Sequence, residues 1–339
     1  VSPRDTRPDV PDVVRWIADD FGLDTGEVEV ERVIGGTDTA AAVWQVSHGT
    51  DGYAVKWTSR RTRTGVQLSE SLSSAGVAGV PPVRVAADGR PTSRRGGGRL
   101  SVTAWVPGED AATVGLDLAQ WQAVGALLGA VHAHPFPMQE RRRGARRGIR
   151  RRRRRYRAGI VALDTLAAAG GPDSEALTAW QDARERVELL LRGTRLSDGD
   201  EGVPVPCHGD PHLGNLVLDA DGVPCLIDWD EAVVAPRELD LHLVEFPVLF
   251  QPLTDEQRAA FDRGYGPVEL DEARLVRYAC VRALEDLVST IQSVLDGPPE
   301  FRDEELAVFH GILSPVGSAS LVEPRLRALL HSAPNDSGP

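Results

Sequence analysis

The chain has 339 residues, enough for two lobes or domains that each hold a core, and its 41% hydrophobic and 26% charged content marks a globular protein. No apolar run reaches the ~18 residues of a membrane helix, the start lacks the apolar stretch of a secretory signal, and three cysteines without C-x-x-C spacing suit neither a disulfide framework nor a zinc site, which together predict a cytoplasmic protein. The net charge of −12 is unevenly spread: residues 141–157 hold twelve Arg and no acid, whereas 158–339 hold thirteen Arg against thirty-three acids, a balance that favours cationic partners and disfavours polyanions.

Apolar spacing predicts a helix over 12–21, with Asp12 as its N-cap. Strands follow at 28–34, 41–46 and 53–57, with turns at Gly35–Thr39 and Gly49–Gly52. A short helix is predicted at 64–76, then strands at 82–87 and 99–106. Val106-Pro107-Gly108-Glu109 reads as a linker and places a domain boundary near residue 106. Helices are expected at 117–134 and 174–193, two strands with a tight turn at 215–228, and mostly helix up to about residue 331. The Arg run 141–157 lacks periodicity and reads as a self-repelling, disordered loop; residues 332–339 read as a disordered tail.

The richest segment is 207–230, CHGDPHLGNLVLDADGVPCLIDWD. Asp221-Gly222 between apolar runs is a hairpin signal. With a two-residue turn there, Asn215 faces Asp228, which joins an amide oxygen to a carboxylate, the hard ligands that Mg²⁺ accepts. Asp210 lies five residues before Asn215, within reach of the same point, and can orient an incoming hydroxyl and accept its proton.

His208-Gly209-Asp210-x-x-x-x-Asn215, with Asp228 in Ile227-Asp228-Trp229-Asp230, resembles the catalytic segment of the aminoglycoside phosphotransferase and choline kinase superfamily. That resemblance implies an α/β, bilobal kinase-like fold, with a β-rich N-lobe over 1–106 and a mostly helical C-lobe over 107–331. It also implies ATP or GTP with Mg²⁺, catalytic Asp210, metal-binding Asn215 and Asp228, and a supporting His208. Kinases need a strand lysine on the phosphates, paired with a helical glutamate. The one lysine of the chain is Lys56, in Ala54-Val55-Lys56-Trp57, and Glu70 is the sole acid between it and Asp88. Lys56 and Glu70 are therefore the expected pair. The base is expected against backbone at Ala104, Trp105 and Val106. The IDWD…AP…DL form is more similar to spectinomycin-type phosphotransferases than to choline kinases.

A Walker P-loop is excluded, because Trp57 follows the single lysine. Eleven residues between Asp228 and Asp240 leave no room for a peptide-docking activation segment, so a small acceptor is expected. The acidic C-terminal half nominates Asp230, Glu231, Glu238, Glu245, Glu285 and Asp286 as contacts for a cationic acceptor, an aminoglycoside or aminocyclitol first. Choline, an amino-acid alcohol, and a peptide or nucleoside antibiotic are the alternatives. Choline is disfavoured by the 5% aromatic content, too sparse for a cage. A nucleic-acid- or membrane-associated role for the Arg run is the competing reading, against which it lacks interleaved aromatics apart from Tyr156.

Overall fold

The computed structural model describes residues 8–23, 28–33, 40–60, 63–137, 139–197 and 202–332, with backbone alone for His48 and residues 139–151. The turn expected at Gly35–Thr39 and the tail 333–339 lie outside the described residues.

Helix α1 (Val10–Phe21) starts one turn earlier than expected: Asp9, not Asp12, is its cap, and the Asp9 side chain accepts from Asp12 N at 2.9 Å. Next come β1 (Val28–Arg32), β2 (Ala41–His48), β3 (Asp51–Thr58), α2 (Thr64–Ser74), β4 (Val83–Arg84), β5 (Ser93–Arg95) and β6 (Gly98–Ala104). They build one antiparallel sheet in the order β1-β2-β3-β6-β4, with β5 also paired to β6. Trp44 pairs with Val55, Val55 with Val102, and Trp57 with Leu100, so one face is apolar. Val13, Trp16, Ile17 and Phe21 of α1 join that core. Each large side chain buried there contributes about 1.5–3 kcal/mol. The strand's period of two sends Lys56, between Val55 and Trp57, to the opposite face.

After β6 come β7 (Gly108–Asp110), α3 (Ala111–Val114) and α4 (Leu118–Ala133), the last started by a capping box between Asp117 and Gln120. Then follow α5 (Gln139–Ala169), α6 (Ser174–Asp182), α7 (Arg184–Gly193), β8 (Pro204–Cys207), β9 (Leu216–Asp219), β10 (Pro224–Leu226), β11 (Val233–Pro236) and α8 (Glu238–Glu245). The chain closes with α9 (Asp255–Tyr265), α10 (Glu272–Asp296), α11 (Arg302–Leu313) and α12 (Ser318–Ser332).

The chain divides into two compact units, and the boundary is not at residue 106. Val1–Phe136, His208–Val233 and Ala260–Tyr265 form the first; Pro137–Cys207, Val234–Ala259 and Gly266–Pro339 form the second. The expected linker leads straight into β7, which pairs with β9 in register Glu109↔Leu218. That pairing ties the HGD…IDWD segment to the first unit.

The second unit gathers around α10, whose Leu275, Val276, Ala279, Cys280, Ala283, Leu284, Leu287 and Ile291 are fully or almost fully buried. The Arg run, expected as a disordered loop, is instead part of α5. Arginine is a good helix former, and Tyr156, Ile160 and Leu163 recur at helical spacing on a buried face. Arg152 anchors the run through Glu285 at 3.0 Å. The stretch Pro299–Ser332 is apolar enough for a membrane span by hydropathy alone. It is, however, two helices of 12 and 15 residues parted at Ser314–Gly317, each shorter than the ~20 residues that a crossing needs.

Candidate active site

The hairpin that carries the metal-type residues has a different turn from the one predicted. Its register pairs Leu218 with Pro224, Val217 with Cys225 and Leu216 with Leu226. Asp219 N donates to Val223 O at 3.0 Å, closing a three-residue loop, Ala220-Asp221-Gly222, with Gly222 at φ 77°. The Asp219 side chain fixes this loop by accepting from Asp221 N and Val223 N at 3.0 and 2.8 Å. The one-residue slip puts Asn215 opposite Ile227, whose N–H donates to Asn215 O at 2.9 Å, and leaves Asp228 one step beyond.

The loop 208–215 is held by its own side chains. His208 is fully buried; its Nε2 is 2.9 Å from Ile227 O, and its Nδ1 accepts from Asp210 N at 3.3 Å. It therefore ties the loop to the hairpin, with the Trp229 ring edge-on at 4.6 Å. The Asn215 Nδ2 donates to Asp210 O at 2.8 Å, which leaves Oδ1 as the amide atom for a ligand. His212 was not among the residues singled out in the sequence. Its Nδ1 accepts from Gly214 N at 3.1 Å, so Nε2 carries the proton, 3.5 Å from Asp210 Oδ2. The signal was a histidine two residues after the loop Asp, at the cap of a 3₁₀ turn.

Asp228 opens a second 3₁₀ turn, Trp229–Glu231, from a left-handed backbone at φ 56°, ψ 68°. A non-glycine residue held there stores strain, which recurs at functional sites. Two glycines press on this turn. A β-carbon on Gly65 of α2 would collide with the Trp229 carbonyl, and one on Gly209 would collide with the Glu231 carbonyl. The close approach of α2 and of the loop 208–215 thus requires both.

Lys56 Nζ lies 2.8 Å from Asp228 Oδ1 and 2.9 Å from Asp230 Oδ2. The pair expected between Lys56 and Glu70 is not made: Glu70 Oε1 accepts the Ser74 hydroxyl at 3.1 Å, one turn along its own helix, while the 228–230 carboxylates lie closer to the ammonium. Burial works against the Lys56 charge, yet Asp228 and Asp230 outweigh it and raise the lysine above its ordinary value. Burial also opposes ionisation of Asp228, but the Lys56 charge and hydrogen bond, with the Asp230 N–H, hold that carboxyl below the usual range. For Asp230 burial prevails over Lys56, aided by the Asp228 charge, and its carboxyl is raised. Glu231 pairs with Arg60 at 2.7 Å.

Of the segment expected to meet the base, Ala104 N donates to Pro82 O and Trp105 N to Gly52 O, both at 2.8 Å. The Val106 N–H donates to no described residue. A cavity of about 500 Å³ borders this stretch, lined by Ser47, Asp51, Tyr53, Ala104, Trp105 and Pro107 among others. The remaining nominated acids belong to the second unit. Glu238 is buried with Arg274 at 3.2 Å, and Glu245 meets Arg258 at 2.6 Å and Arg325 at 2.9 Å. Glu285 pairs with Arg152, and Asp286 with Arg282, each at 3.0 Å.

A single strand lysine set against an Asp-bearing turn, beside a loop Asp and its Asn, is the working arrangement of kinase-like phosphotransferases. The sequence signature of the phosphotransferase enzyme family matches residues 37–276, and the chain belongs to that family. Its membership makes it a phosphotransferase. Among solved structures, a spectinomycin phosphotransferase bound to ADP and spectinomycin matches with TM-score 0.77 at 18% identity, covering 94% of this chain and 98% of that one. A microcompartment-associated aminopropanol kinase matches with TM-score 0.58 at 16% identity, over 94% and 98%. An aminoglycoside phosphotransferase with AMP-PNP and hygromycin B matches with TM-score 0.55 at 14% identity, over 93% and 98%. At these identities the likeness is one of fold. No curated protein matches the chain in sequence.

Proposed function

We propose that this chain transfers the γ-phosphoryl group of ATP, with magnesium, to a hydroxyl of a small cationic acceptor in the cytoplasm. The favoured acceptor is an aminoglycoside or aminocyclitol antibiotic, and the role is resistance or self-protection. The observation that carries this reading is the likeness over nearly the whole chain to a spectinomycin phosphotransferase, joined to the Lys56–Asp228 contact at 2.8 Å. The net charge of −12 supports a cationic acceptor.

In this reading Lys56 neutralises phosphate charge, and the base lies along residues 104–106, where the Val106 N–H is an available donor. Asn215 Oδ1 and Asp228 fit a hard divalent cation, which when bound would offset the charge of the transferring phosphate. Asp210 orients the acceptor hydroxyl and takes its proton, held by its own backbone contacts to His208 and Asn215. The aminopropanol kinase likeness supports a second reading, a small amino alcohol as acceptor.

An ADP-release screen tests both. Spectinomycin, hygromycin B, other aminoglycosides, peptide and nucleoside antibiotics, aminopropanol and choline would each be offered with Mg·ATP, and products weighed by mass spectrometry. A phosphorylated aminocyclitol or aminoglycoside is the expected product. Turnover of aminopropanol or choline alone would overturn the antibiotic assignment in favour of the second reading.

A further inference from the structure

The roles above leave Asp230 without one, while the residue expected to orient Lys56 does not touch it. Asp228 and Asp230 both reach the ammonium, but their settings differ. The Asp228 side chain is 50% exposed and that of Asp230 27%. The more open carboxylate can turn to a ligand, whereas the recessed one can only hold what lies against it.

The turn that presents Asp230 is fixed on three sides. Arg60 grips Glu231 at 2.7 Å, Gly65 abuts the Trp229 carbonyl, and Gly209 abuts the Glu231 carbonyl. Glu70 lacks any such hold on the lysine: its carboxylate bonds to Ser74. In kinases a lysine must be oriented by a carboxylate that is not itself consumed by the metal. Asp228 cannot serve both ends, and Asp230 is the second carboxylate within 2.9 Å.

We propose that Asp230 is the positioning residue for Lys56, in the place that a helical glutamate fills elsewhere, and that it is not an acceptor contact. This rests on the phosphotransferase reading. Asp230 acts through Lys56 on nucleotide phosphates, so its loss weakens nucleotide binding and leaves the acceptor KM alone.

The test titrates Mg·AMP-PNP calorimetrically into wild type, D230N, D230E and E70Q, with thermal unfolding to confirm that each is folded. The expected result is at least ~10-fold weaker binding for D230N, which removes one carboxylate of the recessed ion pair. Binding by D230E should recover in part, and that by E70Q should stay within about twofold, since its carboxylate makes no contact with the lysine. In a K56A background, D230N should add no further loss. Should D230N fail to fold, D230E, which keeps the charge but lengthens the arm, decides the case against E70Q. Weakened binding in E70Q with D230N or D230E unchanged would overturn the proposal, as would independent, multiplying losses from K56A and D230N. Wild type that binds no AMP-PNP would sink the phosphotransferase reading itself, a distinct outcome.

Discussion

The helical unit and the short turn 228–231 are both rich in acid, yet they handle it in opposite ways. In the helical unit each nominated acid meets an arginine: Glu238 with Arg274, Glu245 with Arg258 and Arg325, Glu285 with Arg152, Asp286 with Arg282. On the turn, Asp228, Asp230 and Glu231 share two cations, Lys56 and Arg60, and Asp228 stands in a strained conformation. Formal charge in the helical unit is spent on internal pairs and holds helices together. Among the described ion pairs of the turn there is one more carboxylate than cation, the excess that the proposed divalent ion would take up. A count of acids along a sequence cannot make that distinction; pairing geometry can.

Substitutions at the loop and turn should therefore act on chemistry, and those in the helical unit on stability. The largest effect is expected at Asp210: D210N should lower kcat by at least ~10²-fold, the value of a lost general base, while Mg·AMP-PNP binding stays near wild type. Unchanged turnover would remove Asp210 from its role. D228N should weaken metal-dependent nucleotide binding by more than the ~10–100-fold typical of changes around a metal's ligands, and chelation should reproduce the loss in wild type. Next, H212Q should cost about tenfold in kcat, the equivalent of about 1.4 kcal/mol, by removing the imidazole that lies 3.5 Å from the Asp210 carboxylate, with thermal stability kept.

In the helical unit the signs should reverse. E245Q breaks contacts to two arginines, so it should lower the unfolding free energy by about 1 kcal/mol while KM for ATP is unchanged. A change in KM without loss of stability would blur the contrast. The smallest effect is expected from Asp173, held at about pKa 2 by the Arg302 hydrogen bonds and by the Ala176 N–H at the start of α6. Because its folded value is depressed, its contribution is present above the ordinary carboxylate range and is lost as pH falls toward 2. D173N should flatten that part of the acid unfolding profile.

Two of the contacts at the candidate site, Lys56 with Asp228 and Asn215 with Asp210, join residues that local sequence pattern nominates, for a physical reason. Lys56, Asp210, Asn215 and Asp228 sit on short local elements whose alternation and turn residues leave few options. What escaped depended on details that local pattern does not encode. The hairpin slipped by one residue because the Asp219 side chain closes a three-residue loop, a choice that the Asp-Gly pair alone does not dictate. Glu70 was chosen as the only acid on its stretch of chain, but the true partners of Lys56 lie more than 170 residues away. The Arg run 141–157 reads as a disordered loop because the buried stripe of its helix, Tyr156, Ile160 and Leu163, begins only at the end of the run. The unit boundary was misplaced because β7 and β9 pair across a long separation in sequence.

The lone lysine also has a practical side. With every other basic side chain an arginine or histidine, amine-selective acylating reagents find one side-chain target in the whole chain, and it stands against Asp228 in the candidate site. Labelling of Lys56, followed by peptide mass, would report site occupancy directly. A nucleotide that shields this amine would slow the reaction with no background from other lysines, which makes the protein a convenient platform for ranking ligands by protection.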